Sequence, residues 1–222
     1  MATQSAPAVW AKFLSHSLAA RLSPSTFESY IPLIATKNPL TSPRICDIFL
    51  RPNKYNDVSL DPRIPRYLQI LLSEGLVDCA GILKALLKYS SFQSFRMDHT
   101  NAGGDGLQRE NREEKKRWGN SYAVEEMLFY RLAKTISSGQ GPRDAQEAVE
   151  VLLLCMKWME IVTMAMGSDA HEMLNLGAHH GSPQEMGMVG MALGTMMVAV
   201  VGNEKILGVL GKANCPKGRY AK

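Results

Sequence analysis

The side chains best suited to chemistry gather in the last third of the chain, where His171, His179 and His180 lie near Asp169, Glu172 and Cys155. Zinc needs donors that converge tetrahedrally, usually supplied as HxxxH on one helix face or CxxC in a turn. Neither spacing occurs here, so the histidines read as a solvated loop cluster. Cys155 stands among Leu152, Leu153, Leu154 and Met156. Burial there raises a thiol pKa, so core packing is expected of it.

Phosphate cradles are also missing. Gly103, Gly104 and Gly106 cluster in a charged stretch, not between a strand and a helix as a Walker or Rossmann loop requires. No GxSxG elbow is present. Gln184, Gly187 and Gly190 faintly resemble an acetyl-CoA-binding turn, but they fall inside a predicted helix. No catalytic, cofactor-binding or metal-binding residue is therefore assigned, and no enzyme activity is expected.

The basic residues divide into two groups. Arg109, Arg112, Lys115, Lys116 and Arg117 alternate with Glu110, Glu113 and Glu114, the pattern of a solvated face or loop. Lys205, Lys212, Lys217, Arg219 and Lys222 are more one-sided and suit an acidic partner. They lack the interleaved aromatics on which single-stranded nucleic acid stacks. The net charge of +4 and pI near 8.9 are mild beside those of dedicated nucleic-acid binders, and no direct nucleic-acid contact is expected.

Those residues need elements to hold them. With 222 residues and 45% hydrophobic side chains, the chain can bury a substantial core. Cys46, Cys79, Cys155 and Cys215 are far apart, and the opening MATQSAPAVWAKFLSH lacks the features of a signal peptide; a reducing, intracellular setting is expected. Thirteen methionines against six phenylalanines suit adaptable helical packing surfaces.

Three dipeptides, Ser23-Pro24, Ser42-Pro43 and Asp61-Pro62, each predict a helix start. The short oxygen-bearing side chain accepts a free first-turn amide, and proline loses nothing there by lacking an N–H. Trp10, Phe13, Leu14 and Leu18, then Phe27, Tyr30, Ile31 and Ile34, keep helical rhythm, with Pro32 expected to kink the second helix. From Asp61 to Ser91 the pattern predicts a helical hairpin. Ile64, Leu68, Leu71 and Leu72 line one helix, Ile82, Leu83, Leu86 and Leu87 the next, with Gly75 ending the first and Asp78 capping the second. Two such helices cannot bury both apolar faces alone and need neighbours stacked on either side.

Residues 95–119 break the rhythm with glycine and mixed charge, which predicts a flexible charged loop. Helical rhythm resumes with Val124, Leu128, Leu132 and Ile136, then Ala145, Val149, Leu152, Leu153 and Met156, and Ser182-Pro183 opens a further helix. The uncharged run 186–202 is slightly short for a membrane span of about 20 residues, and Glu185 and Glu204 border it. It reads as a buried helix, with Gly190 and Gly194 allowing close packing; a membrane-associated protein with one spanning segment near 186–202 is the alternative. The expected fold is all-α, a helical-hairpin repeat (α-solenoid-like) array. It comprises an N-terminal helical array at 1–94, the loop at 95–119, a second helical segment at 120–212 and a disordered basic tail at 213–222.

The stretch DPRIPRYLQILLSEGLVDCAGILKALLKYSS resembles the N-terminal region of subunit 5 of the fungal Mediator complex, the coactivator of RNA polymerase II. WAKFLSHSLAAR, ICDIFLRP and MALGTMMVAVVGNEKILGVLGK resemble further elements of that family in the same order. The likeness covers most of the chain and includes no catalytic signature. It implies a helical scaffold subunit of the Mediator tail module, located in the nucleus, that relays signals from DNA-bound transcription factors to RNA polymerase II. The implied partners are other Mediator subunits, chiefly of the tail module, and no membrane. Members of the family are much longer, so an N-terminal portion or truncated form is expected.

Overall fold

Proline sets the first turn of the opening helices. The computed structural model describes residues 5–51, 61–89, 122–172 and 183–202. Helices α1 (Ala6–Ala19), α2 (Pro24–Lys37) and α3 (Ser42–Leu50) each carry proline in the first turn, where an amide donor is not needed. Ser23 caps α2 as expected, its hydroxyl accepting from the Thr26 amide at 3.1 Å, and the helix continues through Pro32.

The other two predicted starts are displaced. Thr41, not Ser42, is the N-cap of α3. Ser42 lies one position inside, and its hydroxyl instead accepts the Asp78 amide at 3.0 Å. Asp61 lies upstream of α4 (Ile64–Ser73) and closes a turn. Its carboxylate accepts the Arg63 amide and its carbonyl the Ile64 amide, each at 2.9 Å. Pro65, not Pro62, occupies the first turn of the helix. An Asx turn competes with a helix cap for the same side chain, and here the turn prevails.

Gly75 ends α4 in the left-handed region at φ +71°, with the Leu76 amide donating to the Leu71 carbonyl at 3.0 Å, as glycine at a helix C-terminus allows. Asp78 then caps α5 (Cys79–Tyr89) by accepting the Gly81 amide. The later helices are α6 (Tyr122–Ser137), α7 (Ala145–Glu172) and α8 (Pro183–Val201). Asp144 starts α7 by accepting the Glu147 amide at 2.8 Å, while Glu147 reaches back to the Arg143 amide at 2.8 Å. Among the described residues there are eight helices and no strand.

Packing follows alternate helices. α1 lies on α3, α3 on α5 and α5 on α7, while α2 lies on α4, α4 on α6 and α6 on α8. Contacts of α1 with α2, α3 with α4 and α7 with α8 join the two rows. The predicted hairpin therefore buries its faces mainly on other helices, α4 against α2, α3 and α6, and α5 against α3 and α7. One contiguous apolar core runs through all eight helices.

Aromatic rings close the first half of that core. Trp10, Phe27, Phe49 and Tyr67 are wholly or almost wholly buried and touch in sequence: Trp10 edge-on to Phe49, Phe49 edge-on to Phe27, and Phe27 stacked on Tyr67. Each such pair adds about 0.5–1.5 kcal/mol beyond area burial. The Trp10 indole N–H, which would be costly to bury alone, donates to the Asn38 carbonyl at 2.8 Å. In the second half Phe129 meets Trp158 edge-on at 5.2 Å and joins α6 to α7.

Two expected faces are corrected. Tyr30 is 47% exposed rather than packed with Phe27 and Ile31. On α7, Val149, Leu153 and Met156 are exposed, and Ala148, Val151, Cys155, Trp158 and Val162 are buried. That helix is apolar around much of its circumference, so periodicity offers two candidate faces; the large Trp158 ring seated on Phe129 selects the one turned inward. Residues 95–119 and 213–222 lie outside the described residues.

Candidate interaction surface

Buried thiols, lysine and arginine pairs and an exposed apolar surface are the features that could carry function. Cys46, Cys79 and Cys155 are free and buried, and burial pushes each thiol pKa up to about 12. Such groups are protonated near neutrality and poor nucleophiles. Cys155 packs in the core as its apolar neighbours implied.

His179, His180 and Cys215 lie outside the described residues, as do the side chains of Asp169, His171 and Glu172 on α7. Gly103, Gly104 and Gly106 do so as well. Among the described residues no group of three His, Cys, Asp or Glu side chains is placed to hold a metal ion. No helix among them is long and apolar enough to cross a membrane.

α8 carries most of the uncharged run and buries one side of it on its neighbours. Val189, Ala192, Leu193, Met196 and Val200 turn inward, wholly buried, against α6 and α7. Gly190 is the closer of its two spaced glycines to α7, since a Cβ there would stand 3.5 Å from Val162, whereas one on Gly194 would meet nothing within 4 Å. The opposite side carries Met188, Met191 and Val198 into solvent, Val198 at 72% exposure. On α7, Val149, Leu153 and Met156 recur at helical spacing and are likewise exposed. Isolated exposed apolar side chains are ordinary, but rows of them on two neighbouring helices mark a surface suited to a partner.

Sequence periodicity did not identify this surface, because it assigned the α7 row to the core and the whole 186–202 run to burial. The one available signal was the excess of apolar residues over what a single helix face can bury.

Charged groups elsewhere act between elements. The Lys88 ammonium and Tyr89 hydroxyl of α5 bond to Asp47 of α3, which also pairs with Arg51. Lys84 of α5 pairs with Glu150 of α7 at 2.6 Å. Arg143 spans from the α6–α7 turn to the Gly75 and Val77 carbonyls at 3.1 and 3.2 Å, satisfying two acceptors of the turn between α4 and α5.

No family model matches the chain, and no solved structure gives a significant match. Curated proteins do. The chain is 30% identical over 190 residues to the Mediator of RNA polymerase II transcription subunit 5 of Phaeosphaeria nodorum, covering 84% of this chain and 18% of that protein. The subunit 5 proteins of Coccidioides immitis and Neosartorya fischeri are each 25% identical, over 88% and 92% of this chain and 18% and 19% of their own lengths. The chain thus spans about a fifth of the length of the relatives it matches. It is homologous, over most of its length, to subunit 5 of the fungal Mediator of RNA polymerase II transcription.

Proposed function

We propose that the chain is a non-catalytic scaffold segment of the Mediator coactivator complex, acting in the nucleus to relay signals from DNA-bound transcription factors to RNA polymerase II. The homology over 84% of its length carries the reading. An α-solenoid-like array fits the packing of the described helices, in which α1 to α6 each lie on the next described helix but one. Such arrays build extended contact surfaces from repeated short elements. The partners are other Mediator subunits, chiefly of the tail module, met through the exposed apolar rows of α7 and α8.

The reading is tested by tagging the protein in its native fungal nucleus, purifying it at moderate salt and identifying what comes with it by mass spectrometry. Recovery of Mediator subunits in near-stoichiometric amounts is expected. Their absence from a purification that retains folded bait would overturn the assignment.

A further inference from the structure

Two guanidinium groups from different helices converge on a single neutral acceptor. Arg66 of α4 donates from Nη1 to Gln69 Oε1 at 2.7 Å, and Arg131 of α6 donates from Nη1 to the same oxygen at 3.0 Å. The amide is held in that orientation from behind: Gln69 Nε2 donates to Thr135 Oγ1 at 3.3 Å, and the Thr135 hydroxyl donates in turn to the Arg131 carbonyl at 2.9 Å. The orientation of an amide side chain follows from such a network.

Among the described residues, no carboxylate balances the charge of this cluster, and neither arginine takes part in an ion pair. Arg131 Nε is buried and without a hydrogen-bond partner. Desolvation, with the Arg66 charge beside it, lowers the Arg131 pKa. Like charges brought together without a counterion raise each other's cost, and a buried unpaired donor adds to it. Arginine forks match planar carboxylates, and the Gln69 amide already occupies the position of one carboxylate oxygen.

We propose that Arg66 and Arg131, bridged by Gln69, form a binding site for a carboxylate side chain on an acidic segment of a partner protein. A chain-borne carboxylate suits the place better than a free anion. Arg66 is exposed and Arg131 only half-buried, and a single small anion gains little at such a surface. The net charge of +4 favours the approach of an acidic segment. The site shares no residue with the apolar rows of α7 and α8, and it does not depend on the Mediator assignment.

The whole 222-residue chain is titrated into fluorescein-labelled hexaglutamate at low salt and followed by fluorescence anisotropy. Arg66→Met, at an exposed position, is expected to weaken binding about three- to tenfold. Gln69→Glu supplies the missing carboxylate from within and is expected to abolish binding while raising the midpoint of thermal unfolding by about 2 °C. Binding of hexaglutamate by both variants as tightly as by the parent chain would overturn the site. A parallel titration with inorganic phosphate separates the sources of negative charge. Phosphate binding that Arg66→Met removes, in a chain that does not bind hexaglutamate, would overturn the protein-borne carboxylate.

Discussion

Tyr67 of α4 lies flat on Phe27 of α2, ring centroids 3.9 Å apart and planes within 7°, and its hydroxyl donates to the Leu22 carbonyl at 2.9 Å. One side chain thereby fastens α4 to α2 and to the turn that precedes α2. The two attachments differ in kind. The ring contributes packing and apolar burial, whereas the hydroxyl satisfies a carbonyl that the α1–α2 turn would otherwise leave unpaired. Tyr67→Phe is expected to keep the stack and cost about 1–2 kcal/mol, and Tyr67→Ala about 3–5 kcal/mol. Urea unfolding of both variants checks this. Equal losses would show that the ring contact carries nothing of its own.

Gly81 on α5 offers a prediction whose sign opposes helix propensity. Alanine is a better helix former than glycine by about 1 kcal/mol. A Cβ at Gly81, however, would stand 2.7 Å from Ser42 Oγ and 2.8 Å from Asp78 Oδ1. Both oxygens are occupied, Ser42 with the Asp78 amide and Asp78 with the Gly81 amide, so neither moves without breaking the α5 cap. Gly81→Ala is expected to destabilise by about 1–3 kcal/mol, the range for overpacking. Gly75→Ala is a control of a different type. Nothing lies within 4 Å of its would-be Cβ, so its cost of about 1 kcal/mol is that of the left-handed backbone alone. Stabilisation by Gly81→Ala in thermal unfolding would disprove the close approach of α3 and α5.

These two glycines show what a linear pattern can convey. Gly75 was legible as a helix stop because its role is local: the chain must turn, and glycine accepts a positive φ. Gly81 was not, because its reason is Ser42, far away in sequence and brought near only by α3 packing on α5. The same distinction separates the caps. Ser23 behaves as its neighbours dictate, whereas Ser42 is drawn off to Asp78 by tertiary contact. The helical class was legible from apolar rhythm in α6, where Val124, Leu128, Leu132 and Ile136 all turn inward. On α7 apolar residues surround the axis, and tertiary contacts such as Phe129 against Trp158 determine which side is core. The Arg66 and Arg131 cluster joins residues of two helices, a meeting that no spacing along one segment could announce.

Asp47 makes the stability of the first half depend on pH in a defined direction. Partial burial tends to raise its pKa, but bonds from Lys88 and Tyr89 and the charge of Arg51 outweigh this and hold it below the ordinary 3.8. A carboxylate whose folded pKa is depressed contributes stability fully above its unfolded pKa. That contribution disappears as pH falls from there through the folded value. Asp47→Asn is therefore expected to cost stability at pH 7 and to lose less on acidification below about pH 5. Asp61, also depressed, chiefly by its bond from Arg63, leaves a residual acid sensitivity in the variant. Thermal midpoints measured from pH 7 down to pH 3 check the comparison. Parallel curves for the two proteins would show that the α3–α5 ion cluster does not couple to folding.

The two faces of α7 should respond oppositely to charge. Leu153 is 60% exposed and Met156 59%, while Trp158 is fully buried beside Phe129. A lysine at Leu153 or Met156 can keep its ammonium in water along the helix surface, so each variant is expected to unfold within about 0.5 kcal/mol of the parent. Trp158→Lys places an unpaired charge in the core and is expected to cost several kcal/mol, comparable with the stability of a whole domain. If the exposed row is the contact surface of a scaffold, the Leu153→Lys and Met156→Lys double variant keeps its unfolding midpoint yet recovers fewer Mediator subunits on affinity purification. Fewer subunits with an unchanged midpoint locates the contact on α7. Full recovery moves it elsewhere, and a collapsed midpoint would mean that this row is core after all.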